Sequence, residues 1–321
     1  MKGVYNIMEL KDIGLIAEKI RENVSKVIVD KEDIIDLSLI CVITGGHMLL
    51  EDVPGTGKTV FARALAASID CNFRRIQFTP DLLPSDVTGI NFYNQKENKF
   101  TFRPGPIFAN IVLADEINRA TPRTQSAMLE CMEEKQVTID GETKELYLPF
   151  LVVATQNPVE IQGTFPLPEA QLDRFLIKTS MGYPNSKSEI DILKRFKEKS
   201  PLTELKAVVS SQDIVEASKI YSTVKVSDDI FEYITKITEA SRRHSSVHLG
   251  ISPRGSLALL KAIQVKALIS GRSFVTPDDV KAMAVPVLAH RIIPKGLSGQ
   301  NINAGEKIIK DIIEHTEVPL E

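Results

Sequence analysis

The stretch Glu51-Asp52-Val53-Pro54-Gly55-Thr56-Gly57-Lys58-Thr59 decides how the rest of the chain is read. It follows a short apolar run, Met48-Leu49-Leu50, and leads into a helix-forming segment, Val60 to Ile69. A run of this kind reads as a strand buried on both faces, and the periodic segment after it as a helix. A loop between the two suits phosphate, because glycines let the backbone approach an anion and the helix N-terminus turns its N–H groups toward it. Pro54, Gly55, Thr56, Gly57, Lys58, Thr59 and Val60 are therefore candidate nucleotide-binding residues. Lys58 is expected at the β- and γ-phosphates and the Thr59 hydroxyl at Mg²⁺. Asp52 stands where the general pattern has its first glycine. The competing reading is a glycine turn that binds nothing, so the loop needs support from elsewhere in the chain.

That support comes from Ile111-Val112-Leu113-Ala114-Asp115-Glu116, an apolar strand that ends in two carboxylates. Side chains alternate along a strand, so the two acids point differently and take different tasks. Asp115 suits the Mg²⁺ shell and Glu116 the attacking water. A further buried strand, Phe150 to Thr155, ends at Gln156-Asn157-Pro158. A polar amide at the carboxyl end of a strand lies on the sheet edge where open α/β folds bind ligands, so Asn157 is placed to bond the γ-phosphate or the water.

Two arginines acquire meaning only with this context. Arg174, in Glu169-Ala170-Gln171-Leu172-Asp173-Arg174-Phe175, is a surface residue by default. In a ring of subunits it could reach a neighbour's γ-phosphate and stabilise transition-state charge. Arg254 lies in the first turn of a helix opened by Ser252-Pro253, where a cation opposes the helix dipole, which hints at a phosphate partner.

In chain order, Leu10, Ile13, Ile16, Ile20 and Val24 mark an amphipathic helix, followed by the apolar segment Val27-Ile28-Val29 and a helix from Lys31 to Thr44. Arg75 to Phe78 reads as a second strand. Runs at 90–93 and 99–102 flank a polar tip and predict an inserted hairpin; runs at 136–139 and 145–148 around Asp140-Gly141 predict another. A helix over 124–135 and a last strand over 176–180 complete this part. After the turn-rich 182–187, helices are expected over 186–199, 211–222, 227–244, 253–271 and 276–290, with no further buried strand.

Bulk properties narrow the setting. The chain has 321 residues, 43% hydrophobic and 25% charged, an ordinary globular balance with room for two domains. Its formal net charge of -3 and the absence of a lysine- or arginine-rich block argue against nucleic acid and anionic lipid. Cys41, Cys71 and Cys131 are too scattered for a metal knuckle, and their odd number argues against a disulfide framework. With no signal peptide or spanning segment at the start, a cytoplasmic protein is expected.

Taken together, the residues 51–59, Ala114-Asp115-Glu116-Ile117-Asn118-Arg119, Ala154-Thr155-Gln156-Asn157-Pro158, Glu169 to Phe175 and Ser252-Pro253-Arg254 resemble, in order and spacing, the AAA+ ATPases of the MoxR family. The resemblance runs from about residue 8 to 310. It implies an α/β fold: an AAA+ αβα sandwich with a five-stranded parallel sheet and two inserted β-hairpins over residues 1–183, then an all-α lid over 184–321. Lys58 and Thr59 match Walker A, Asp115 and Glu116 Walker B, Asn157 sensor 1, Arg174 the arginine finger and Arg254 sensor 2. Asp52 is common in this family, whereas 29–32 departs from its usual glycine and glutamine. The resemblance further implies ATP and Mg²⁺ as cofactors and a homo-hexameric ring. It also implies chaperone-like action on a protein client, often with a von Willebrand factor A domain partner. A nucleic-acid motor and an ATP-binding scaffold with little turnover are the rival readings.

Overall fold

The protein is described by a computed structural model, over residues 8–158, 163–296 and 303–319. Helices α1 (Leu10–Ser25) and α2 (Glu32–Thr44) precede strand β1 (Met48–Glu51). Helix α3 (Lys58–Ser68) and β2 (Phe73–Gln77) follow, then a short α4 (Pro84–Thr88) and the hairpin β3 (Gly89–Asn94) and β4 (Lys99–Pro104). Strand β5 (Ile111–Asp115), α5 (Pro122–Glu134), the hairpin β6 (Gln136–Ile139) and β7 (Glu142–Glu145), and β8 (Leu151–Gln156) come next. A single turn, α6 (Glu169–Leu172), leads to β9 (Ile177–Thr179). Beyond it lie α7 (Ser186–Phe196), α8 (Ser211–Ile220), α9 (Asp228–Arg243), β10 (Val247–Leu249), α10 (Pro253–Ile269), α11 (Pro277–Leu288), β11 (Ile293–Pro294) and α12 (Ala304–His315).

The central sheet has five strands in the order β2-β5-β8-β1-β9, every neighbouring pair parallel. Parallel strands need helical crossovers and are covered on both faces where they are central, which is why β1, β5 and β8 are apolar for most of their length, whereas the edge strands β2 and β9 carry Arg74, Arg75 and Lys178. Alternation divides them: Met48, Leu50, Leu113 and Val153 join a core with α1, α2 and α3, while Leu49, Val112 and Val152 join one under α5. The first of these cores is continuous with the helices beyond β9, through Leu259, Ile263, Val280 and Ile309. The carboxyl ends of β1, β5 and β8 lie side by side, so the loop after β1, the acids after β5 and Asn157 share one sheet edge.

The two hairpins stand off the sheet and are tied to each other. Asn91 Nδ2 donates to Asp140 Oδ2 at 2.8 Å, and Lys144 Nζ lies 4.9 Å from the centre of the Phe102 ring. Phe92, Tyr93 and Phe100 on the first hairpin remain exposed.

Three sequence expectations need correction. The return strand of the second hairpin is 142–145, not 145–148. Asp140 and Gly141 both adopt positive φ, at 51° and 83°, and form a two-residue turn that pairs Ile139 directly with Glu142. The segment beyond β9 is not purely helical: β10 and β11 form a small antiparallel ladder, with Val247 buried. A final helix, α12, lies beyond the expected elements and buries Ile308, Ile309 and Ile312 on one face.

Candidate active site

The loop after β1 is shaped by its two glycines. Gly55 and Gly57 adopt φ of 87° and 91°, a region open to glycine, and Gly57 caps α3, whose first residue is Lys58. Lys58 Nζ donates to the carbonyl oxygens of Asp52 and Val53, each at 3.1 Å, so the loop's own backbone holds the ammonium inside its curve. Asp52 is buried, and its carboxylate accepts from the Ser180 hydroxyl at 2.7 Å, Met181 N–H at 2.7 Å and Gly182 N–H at 3.0 Å. The residue that departs from the general loop pattern thus clasps the chain just past β9. Glu51 acts similarly across the sheet, accepting from Gln156 of β8 at 2.5 Å and pairing with Lys178 of β9 at 2.8 Å.

The carboxylates at the end of β5 are held by neighbours on both sides. Asp115 Oδ1 accepts from the Thr155 hydroxyl at 2.7 Å, and Oδ2 from Arg75 Nε at 3.0 Å and its terminal nitrogen at 2.7 Å. Glu116 sits in a left-handed backbone conformation, φ 57° and ψ 49°, which breaks the strand and turns its side chain away from that of Asp115. Its N–H donates to Thr155 Oγ1 at 2.8 Å, and its carboxylate accepts from Gln77 at 2.8 Å and pairs with Arg119 at 3.0 Å.

Pro54, Gly55, Gly57, Lys58, Thr59, Val60, Asp115, Glu116 and Asn157 all line one open cleft, together with Asp52, Arg75, Gln77 and Thr155. Thr56 is not on its wall; its hydroxyl is buried and has no hydrogen-bond partner. Arg75, Gln77 and Thr155 read from the sequence as strand or motif residues and not as members of the site. Their signal was the register: Gln77 pairs with Asp115 across parallel strands, so residues two apart on β2 face the same carboxyl ends.

Arg174 and Arg254 lie elsewhere, and together. Arg174 pairs with one oxygen of Glu133 at 3.3 Å and Arg254 with the other at 2.9 Å. Both line a second cleft with Thr44, Asp173, Lys261 and Arg291, which shares no lining residue with the first.

The first cleft fits a magnesium nucleotide by its donor set. Among the described residues no group of three or more histidine, cysteine or acidic side chains could enclose a metal. A hydroxyl and a carboxylate are hard oxygen ligands, and Mg²⁺ is ordinarily held by one or two such groups, with water and phosphate oxygens completing its shell. Also among the described residues, no helix is long and apolar enough to cross a membrane.

Residues 47–177 match the family model described as "ATPase family associated with various cellular activities (AAA)", and residues 239–312 match the AAA lid domain. Protein YeaC of Bacillus subtilis (strain 168) is 50% identical over 311 residues, 97% of each chain. Chaperone MoxR1 of Mycobacterium tuberculosis is 40% identical over 279 residues, 84% of this chain and 74% of its own. A crystallised candidate ATPase from Cytophaga hutchinsonii superposes with a TM-score of 0.90 at 38% identity, covering 97% of each chain.

Proposed function

Because the chain belongs to the MoxR family of AAA+ ATPases, we propose that it hydrolyses ATP with Mg²⁺ at sites shared between neighbours in a homo-hexameric ring. The cycle then remodels a protein client. The observation that carries this reading is the separation of charges. Lys58, Thr59, Asp115, Glu116 and Asn157 line one cleft, whereas Arg174 and Arg254 meet at Glu133 in another. A γ-phosphate seated at Lys58 then receives the two guanidinium groups from a second copy of the chain.

In the mechanism, the loop at 54–60 binds the triphosphate and Lys58 leaves its carbonyl partners to meet the outer phosphates. Mg²⁺, when bound, neutralises developing charge on the phosphate oxygens, with Thr59 and Asp115 as the residues that hold it. Glu116 polarises a water for in-line attack on the γ-phosphorus, and the bond to the β-phosphate oxygen breaks to give ADP and phosphate. Asn157 orients the water or the γ-phosphate from the end of β8. Gln77 and Arg119 fix the resting direction of the Glu116 carboxylate. A protein client is favoured by the name of the relative Chaperone MoxR1 and by the exposed aromatic side chains on the first hairpin.

Mixing tests the sharing of sites. Arg174→Ala and Lys58→Ala proteins should each be inactive alone and regain turnover when assembled together, because a Lys58→Ala subunit lends its intact Arg174. A mixture that stays inactive overturns the shared site.

A further inference from the structure

Arg291 follows α11, and its side chain is only 3% exposed. Its guanidinium reaches into the segment that carries Arg174. Nε meets the Asp173 carboxylate at 2.7 Å, and one terminal nitrogen meets the Phe175 carbonyl at 2.7 Å and the Asp173 carbonyl at 3.3 Å. The other terminal nitrogen donates to the Leu176 carbonyl at 3.2 Å and to the Val287 carbonyl of α11. These partners bracket Arg174 on both sides in the chain. The second Asp173 oxygen lies 3.6 Å from Arg254 Nε, so the same clasp reaches Arg254 as well as the backbone on either side of Arg174.

We propose that Arg291 is the positioning residue for Arg174 and Arg254, locking both to the end of α11 so that movement of the lid helices is delivered to the charges offered to a neighbour. This rests on the reading that Arg174 acts on a neighbour's nucleotide. Burial keeps Arg291 itself away from any phosphate. Its planar fork is what the task requires, since a single guanidinium spans a carboxylate and several backbone carbonyls that a point-charge ammonium cannot reach together. Fixing residues 173–176 from a separate element sets the Arg174 backbone, and errors near 1 Å in such placement cost about 10²-fold in rate.

The test uses the full chain. Arg291→Lys should lower kcat about 10- to 100-fold while KM and the affinity for a fluorescent ATP analogue stay at the unaltered protein's values. Its turnover should be restored by mixing with Lys58→Ala subunits, and adding Arg291→Lys to a protein that already carries Arg174→Ala and Arg254→Ala should cause no further loss. Full kcat in Arg291→Lys, a loss that Lys58→Ala subunits do not restore, or a further loss in that combined variant would overturn the proposal. Arg174→Ala, run beside them, separates the two readings: if it keeps full turnover, the shared site fails, and the positioning role with it. Should Arg291→Lys not fold, Asp173→Asn, which preserves side-chain size, carries the same readouts.

Discussion

The Asp52 carboxylate accepts the Met181 N–H at 2.7 Å, which ties the phosphate loop to the chain as it leaves the sheet. Asp52→Ala would leave that N–H and the Ser180 hydroxyl without their acceptor, while the Gly182 N–H keeps Ser180 Oγ at 3.1 Å. Unpartnered buried donors cost about 1–3 kcal/mol. A loss of about 2–3 kcal/mol in urea unfolding is expected on that basis, together with weaker ATP binding. An unchanged unfolding midpoint would show that the clasp contributes nothing.

Glu116→Gln keeps the size of the side chain and removes its charge. ATP binding should persist while kcat falls by at least about 10²-fold, the usual contribution of a positioned acid or base. Steady-state turnover alongside equilibrium binding of a labelled nucleotide checks both halves. Persistent turnover would remove Glu116 from the water-activating role.

Thr155 joins the two acids, donating to Asp115 and accepting the Glu116 N–H. Thr155→Val conserves shape and deletes both bonds. The left-handed turn at Glu116 then lacks its anchor, and kcat should drop about 10-fold or more, the effect of losing roughly 1.4 kcal/mol of orientation. Equal kcat in the two proteins would rule out the anchoring role.

His47, just before β1, is buried in its neutral form. Its Nδ1 accepts the Val152 N–H at 3.0 Å, and Nε2 donates to the Met132 carbonyl at 2.9 Å. Burial pushes its pKa down to about 4 from 6.5, with Lys135 adding to the fall. The unfolded chain therefore binds the proton first as pH drops, so stability is complete above about 6.5 and declines toward 4. Between pH 6.5 and 5 the loss is about 2 kcal/mol. Buried His290, beside Arg291, shifts in the same direction. In urea melts at pH 7 and pH 5, His47→Gln should reduce the pH-dependent difference by about that amount; an unchanged difference would exclude His47 as its source.

Much of this architecture was legible because it is written in local pattern. Met48 to Leu50, Ile111 to Ala114 and Leu151 to Ala154 are apolar on both faces, and Asp140-Gly141 announces its turn. That Lys58, Thr59, Asp115, Glu116 and Asn157 share one sheet edge was legible for the same reason, since each strand end carries its own polar residue. What escaped depends on distance along the chain. The bonds from Arg75 to Asp115 and from Arg291 to Asp173 join residues 40 and 118 positions apart, and no local periodicity encodes them. The β10–β11 ladder escaped for a related reason, since strands of three and two residues leave little pattern to read; α12 did carry a pattern, Ile308, Ile309 and Ile312 at helical spacing, and was missed in spite of it.

The bond between Asn91 and Asp140 has a mechanical consequence. Each hairpin alone is a two-stranded ribbon, soft at its tip. That bond braces the two hairpins against each other, and β6 continues from the C-terminal end of α5, whose N-terminal end follows the turn at Glu116. Phe100, exposed on the first hairpin, and α5, which leads into the second, are therefore linked through that bond.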